Sequence, residues 1–136
     1  MIFLKLYGLA FVLFLSVDLL WLGFLAKNFY RNQIGFLMLD KIKWAPALLF
    51  YCLYIAGLVV FTIYPYLKEA NWKMPLLYGA FFGLICYATY DLTNLATLKG
   101  WPLKLVIADL IWGACLSALI SWATYSLALY WKFKRL

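Results

Sequence analysis

Residues 87–102 read YATYDLTNLATLKGWP. A hydrophobic helical run turns polar here, sets a carboxylate (Asp91) and an amide (Asn94) one turn apart, and stops at Gly-Trp-Pro. Residues three and four apart share a helix face, so Tyr87, Asp91 and Asn94 align, flanked by Tyr90, Thr93 and Thr97. The weight of that arrangement depends on its surroundings. In water it is ordinary; in a bilayer an ionisable side chain marks a functional site.

The surroundings are those of a membrane protein. The chain has 136 residues, 68% apolar and only 12% charged, whereas soluble domains run at roughly 45–50% apolar and about 25% charged. A single domain of this size cannot bury such an excess inside itself, so the bilayer is the solvent for much of it. The net charge of +7 is the kind of balance that suggests nucleic acid in a soluble protein. Here the basic residues stand at the ends of apolar runs, which fits lipid headgroups and not nucleic acid.

Four apolar runs are long enough to span: 2–26, 45–66, 76–98 and 103–131. The first starts like a signal peptide, but it is too long, carries Asp18, and lacks a small-residue cleavage motif, so it reads as a retained helix. Pro46 lies in the first turn of the second run. Between these two, residues 28–44 form a segment too short to cross, in which Ile34, Leu37, Met38 and Ile42 make one face of a short interfacial helix. Gly79 and Gly83, four apart in the third run, offer a groove for close approach of a neighbouring helix. The expected fold is therefore all-α: one domain, an antiparallel four-helix transmembrane bundle with both termini on one side. The positive-inside count does not orient it. Lys5, Lys68, Lys73, Lys132, Lys134 and Arg135 on one side balance Lys27, Arg31, Lys41, Lys43, Lys99 and Lys104 on the other. The terminal KFKR cluster tips the balance slightly towards termini inside.

Three of the five carboxylates, Asp18, Asp91 and Asp109, lie inside the spans. Counting from Lys27, Lys99 and Trp101 at about 1.5 Å per residue puts each roughly 12–13 Å below the same interface. Three helices thus bring an acid to one level with no lysine or arginine inside the spans. Acids gathered in low dielectric cannot all be ionised at once, so they share protons or bind a cation. Asn94, Thr93, Thr97, Tyr87 and Tyr90 supply donors and acceptors for such a cluster. Asp18-Leu-Leu-Trp21 and Asp109-Leu-Ile-Trp112 repeat an acid with a tryptophan one turn away, and Trp21 and Trp112 are candidate walls of a pocket.

Some chemistries are removed outright. There is no histidine, which excludes the usual zinc sites, haem ligation by histidine, and Ser-His-Asp catalysis. Cys52, Cys86 and Cys115 stand singly in different runs and read as small packed hydrophobes. No metal site and no cofactor are expected.

The stretch YDLTNLATLKGWP at 90–102, followed by Asp109-x-x-Trp112-Gly113, resembles the hallmark of domain-of-unknown-function family 2177. Residues 46–51 (PALLFY), 57–61 (GLVVF) and Asp18-x-x-Trp21-Leu22 are similar to the rest of its pattern. The resemblance covers nearly the whole chain. It implies a multi-pass protein of the bacterial inner membrane, and it carries over no catalytic roles.

Three functions fit these residues. One is a transporter or binding protein in which the carboxylate cluster couples a proton or cation to a small polar or amphipathic solute, working as a homodimer. Another is a structural or accessory subunit whose aspartates hold helices together. The last is a lipid-modifying enzyme with an aspartate as general acid or base, against which stands the lack of an evident nucleophile or paired-Asp metal motif. The sequence leans towards a non-enzyme.

Overall fold

The computed structural model describes residues 1–133, so Lys134 and Arg135 of the terminal basic cluster lie outside the described residues. Every regular element among them is helical. Helix α1 covers Ile2–Leu20 and continues through a π-turn at Trp21–Leu25; α2 is the short helix Lys27–Ile34. Helix α3 covers Trp44–Leu58 and continues through a second π-turn, Val59–Ile63, and a 3₁₀ turn, Tyr64–Tyr66. Helices α4 (Lys73–Thr97) and α5 (Leu103–Tyr130) complete the chain.

Four helices are long and apolar enough to cross a membrane: Ile2–Leu25, Trp44–Tyr66, Lys73–Thr97 and Leu103–Tyr130. Their outer faces carry exposed Leu, Ile, Phe and Val along their length, which is the surface a bilayer solvates. Helix α4 starts at Lys73, before Pro75, because a proline in the first turn gives up only an N–H that has no helical partner. The π-turns widen the helix by one residue: the Ala26 N–H reaches the Trp21 carbonyl at 2.7 Å, and the Tyr64 N–H reaches that of Val59. The second precedes Pro65, which cannot donate and whose ring crowds the carbonyl four residues back.

The segment between α1 and α3 departs from expectation. Its continuous helix ends at Ile34, which packs against Trp101, whereas Leu37, Met38 and Ile42 are exposed. Gly35 opens a single 3₁₀ turn and the chain is extended by Met38, so the four apolar residues never share a helix face. The cysteines differ too. Cys52 and Cys115 are exposed, lying off the stripes along which the helices meet.

The closest helix pair is α4 with α5. Along α4 the buried residues recur every four positions, Pro75, Gly79, Gly83 and Asp91, with Tyr87 in the same row. Along α5 the matching row is Leu105, Asp109, Gly113, Ser117 and Ser121. A methyl group on Gly79 would sit 2.7 Å from the Ser117 carbonyl oxygen and 2.6 Å from Ser121 Oγ. On Gly83 it would run into the Gly113 carbonyl and the Ser117 side chain, and on Gly113 into the Tyr87 ring. As α4 residue numbers rise from 79 to 87 their α5 neighbours fall from 121 to 113, so the two helices run in opposite directions. Small residues let the backbones touch, which is how helices associate where lipid removes the hydrophobic drive.

The half of the bundle nearest the termini is solidly packed. Leu6, Ala10 and Phe14 of α1 meet Ile55, Leu58, Val59 and Ile63 of the third helical rod and Leu116, Ile120 and Ala128 of α5. Buried hydroxyls there pair with one another: Tyr54 with Ser117, and Thr62 with Ser121 at 2.8 Å. The other half, towards α2, is looser and holds the acids.

Gly83→Leu should therefore lower the melting temperature in detergent sharply, the overpacking costing about 1–3 kcal/mol or more. Gly8→Leu, at a glycine with nothing within 4 Å of an added methyl group, should leave it unchanged. Equal melting curves for the two variants would show that the α4–α5 contact does not hold the fold together.

Candidate functional site

All three intramembrane aspartates are buried: Asp18 is 6%, Asp109 4% and Asp91 0% exposed. They do not converge on one point, and no three of the described His, Cys, Asp and Glu side chains group closely enough to hold a metal ion. Asp91 and Asp109 are neighbours across the α4–α5 seam, with the Trp101 indole beside Asp91. Asp18 stands on α1 beside the Trp112 indole.

The partners are aromatic. Tyr30 on α2 donates its O–H to Asp109 Oδ1, and the Trp21 indole N–H donates to the Tyr30 oxygen at 3.2 Å. Tyr51 on α3 donates to Asp18 Oδ2 at 3.3 Å. Trp21 and Trp112 stack face to face, ring centres 4.1 Å apart and planes within 10°. The two Asp-x-x-Trp motifs thus exchange partners: each indole serves the other motif's acid, Trp21 through Tyr30 and Trp112 by standing beside Asp18.

Asp91 is the exception. Neither of its oxygens has a hydrogen-bond partner, and the indole N–H groups of Trp101 and Trp112 are also buried without one. Trp101 reaches this position because Gly100 adopts φ +74°, a left-handed turn that glycine makes without strain. The indole then meets Tyr90 edge to face at 5.6 Å and packs with Leu105, Val106, Tyr30 and Ile34. Helix α2 is docked over the start of α5 by the same cluster. Burial, with Asp109 alongside, pushes the Tyr30 phenol above its ordinary range, so it stays a donor well into alkaline pH.

A cavity of about 720 Å³ opens in this half of the bundle. Asp18, Trp21 and Leu22 line it from α1 and its π-turn, Tyr30 from α2, and Ala47, Phe50 and Tyr51 from α3. Helix α4 adds Cys86, Tyr87, Thr89 and Tyr90, and α5 adds Asp109 and Trp112. Asp91, the neighbour of Asp109, does not itself line the cavity. Of the residues singled out from sequence, Asp18, Asp109, Tyr87, Tyr90, Trp21 and Trp112 come together here. Thr93 and Thr97 do not: both are exposed, and their hydroxyls donate to carbonyls of their own helix, Thr97 to Thr93 at 2.8 Å and Thr93 to Thr89 and Tyr90. Asn94 is half-buried at the edge. Tyr30, Tyr51 and Trp101 were not foreseen as site residues. Their sequence signal is faint, since aromatics at span ends are ordinarily interface anchors.

Residues 3–126 match the family described as predicted membrane protein, DUF2177. The chain belongs to that family. No curated protein and no solved structure matches it.

Tyr30→Phe removes the donor to Asp109 and the acceptor of the Trp21 indole. It should destabilise the docking of α2 by about 1.5–3 kcal/mol, read as faster amide exchange across 27–34. Because the phenol holds its proton more tightly folded than unfolded, this contribution is complete at neutral pH and fades only as pH rises past the ordinary tyrosine range. Unchanged exchange in Tyr30→Phe would mean that the apolar cluster alone docks α2.

Proposed function

We propose that this DUF2177 protein is a solute-binding protein of the transporter type in a bacterial cytoplasmic membrane, whose intramembrane aspartates take up a proton or cation in step with a small solute. The observation that carries this reading is Asp91, fully buried beside Asp109 with both oxygens unpartnered. Burying an ion without compensation costs several kcal/mol, and an acid that served only to bind helices together would have its oxygens paired. Among the described residues no Lys or Arg lines the cavity to neutralise the acids. A proton or a mobile cation is the charge that remains. The cavity beside Asp18 and Asp109 gives the solute its place. The packed half of the bundle closes the way through a single copy, so movement across the membrane calls for a homodimer or for rocking of the helices.

Asp91→Asn keeps the shape of the side chain and removes its titration. Infrared difference spectra of the reconstituted wild type between mildly acidic and neutral pH should show carboxyl groups exchanging protons, and Asp91→Asn should lose part of that signal while staying inserted and folded. Spectra in which every carboxyl is already ionised at mildly acidic pH would sink the proton-linked reading. A more stable Asp91→Asn with an unaltered exchange signal would favour the accessory-subunit reading.

A further inference from the structure

We infer that the cavity takes a lipophilic organic cation, an ammonium or phosphonium compound with an apolar body, drawn sideways from the bilayer. This rests on the binding reading above and adds the chemical class of the ligand. Size comes first: about 720 Å³ falls in the range of about 300–1,000 Å³ that holds drug-sized molecules, and is far too large for a bare ion. The route of entry follows from the mouth. Leu22, Phe50 and Tyr90 line the cavity yet are 40%, 49% and 52% exposed, on faces turned to lipid. A ligand reaching them is already dissolved among acyl chains.

Charge decides the class. Asp109 accepts from Tyr30 and Asp18 from Tyr51, and both acids line the cavity. Those phenols donate to the acids and fix the position of each side chain on the cavity wall. Around them stand aromatic side chains, with the stacked Trp21–Trp112 pair as one wall. Carboxylates combined with aromatic faces, and no basic side chain among the described lining residues, make a receptor for diffuse positive charge. The ring quadrupole attracts a desolvated cation without demanding a hydrogen bond from it. An anion would meet only repulsion, and a neutral lipid would bring no charge to match the acids.

The test uses two probes of the same size and shape and opposite charge, tetraphenylphosphonium and tetraphenylborate, by equilibrium dialysis against the protein in zwitterionic nanodiscs, with empty nanodiscs subtracted. Saturable binding of tetraphenylphosphonium is expected, with none for tetraphenylborate. Asp18→Asn and Asp109→Asn should each weaken it at least tenfold. Because a buried aspartate variant can fail to fold, Ala47→Trp serves as a second probe: it adds bulk at the cavity wall while leaving every aspartate in place, and should abolish binding. Equal binding of both probes, or tetraphenylphosphonium binding untouched by all three variants, overturns the assignment. So does the absence of saturable binding. If that absence accompanies an intact infrared proton-exchange signal, the ligand class falls and the proton-linked site stands; if the signal is missing too, both fall.

Discussion

The structure hangs on one steric fact: the α4 and α5 backbones touch. Gly83 lies against the Gly113 carbonyl, and Gly79 against Ser117 and Ser121. No hydrophobic force presses helices together in lipid, so contact has to come from surfaces that fit. Glycine and serine recurring every four residues provide a straight, shallow seam. One turn beyond Gly83 the seam changes character. Tyr87 lays its ring over Gly113, and a further turn on, the same two rows bring Asp91 to Asp109. The acids are adjacent because the glycines are.

That adjacency carries a cost that the neighbouring aromatics only partly offset. Asp109 has the Tyr30–Trp21 chain and Asp18 has Tyr51. Asp91 has an indole nearby and no bond to it. A seam optimised for stability alone would carry a small apolar residue at this position, continuing the row of glycines. Natural sequences break local rules mainly at functional sites, and here the break falls beside the cavity of the bundle's looser half.

Much of this was legible in the chain itself. Hydropathy and length locate the four long helices within a few residues, since the bilayer imposes one simple criterion on each. Gly79 and Gly83 announce a close contact, although their spacing does not name α5 as the partner. Depth counting singles out Asp18, Asp91 and Asp109, and all three are buried, Asp91 beside Asp109 and Asp18 on the same cavity as Asp109. What eludes the sequence is lateral placement. Nothing in residues 27–34 says that α2 will fold over α5 and send Tyr30 to Asp109, and nothing in 99–102 says that Gly100 will turn Trp101 inward. Both depend on packing between distant segments. Thr93 and Thr97 mislead for the opposite reason: a hydroxyl four residues from a free carbonyl satisfies itself locally, so it has no need of the cluster.

The cavity and its acids occupy only the half of the bundle that adjoins α2 and the 98–102 turn, while the half with the termini is filled by Leu6, Ala10, Phe14, Ile55, Leu58 and Ile120. The protein is therefore two-faced with respect to the bilayer it sits in. The exposed rim residues Leu22, Phe50 and Tyr90 belong to that half, so on the binding reading proposed above a molecule arriving through the side of the bundle comes from one leaflet alone. On that reading the composition of the opposite leaflet is invisible to it until lipids or solutes cross the midplane by some other means.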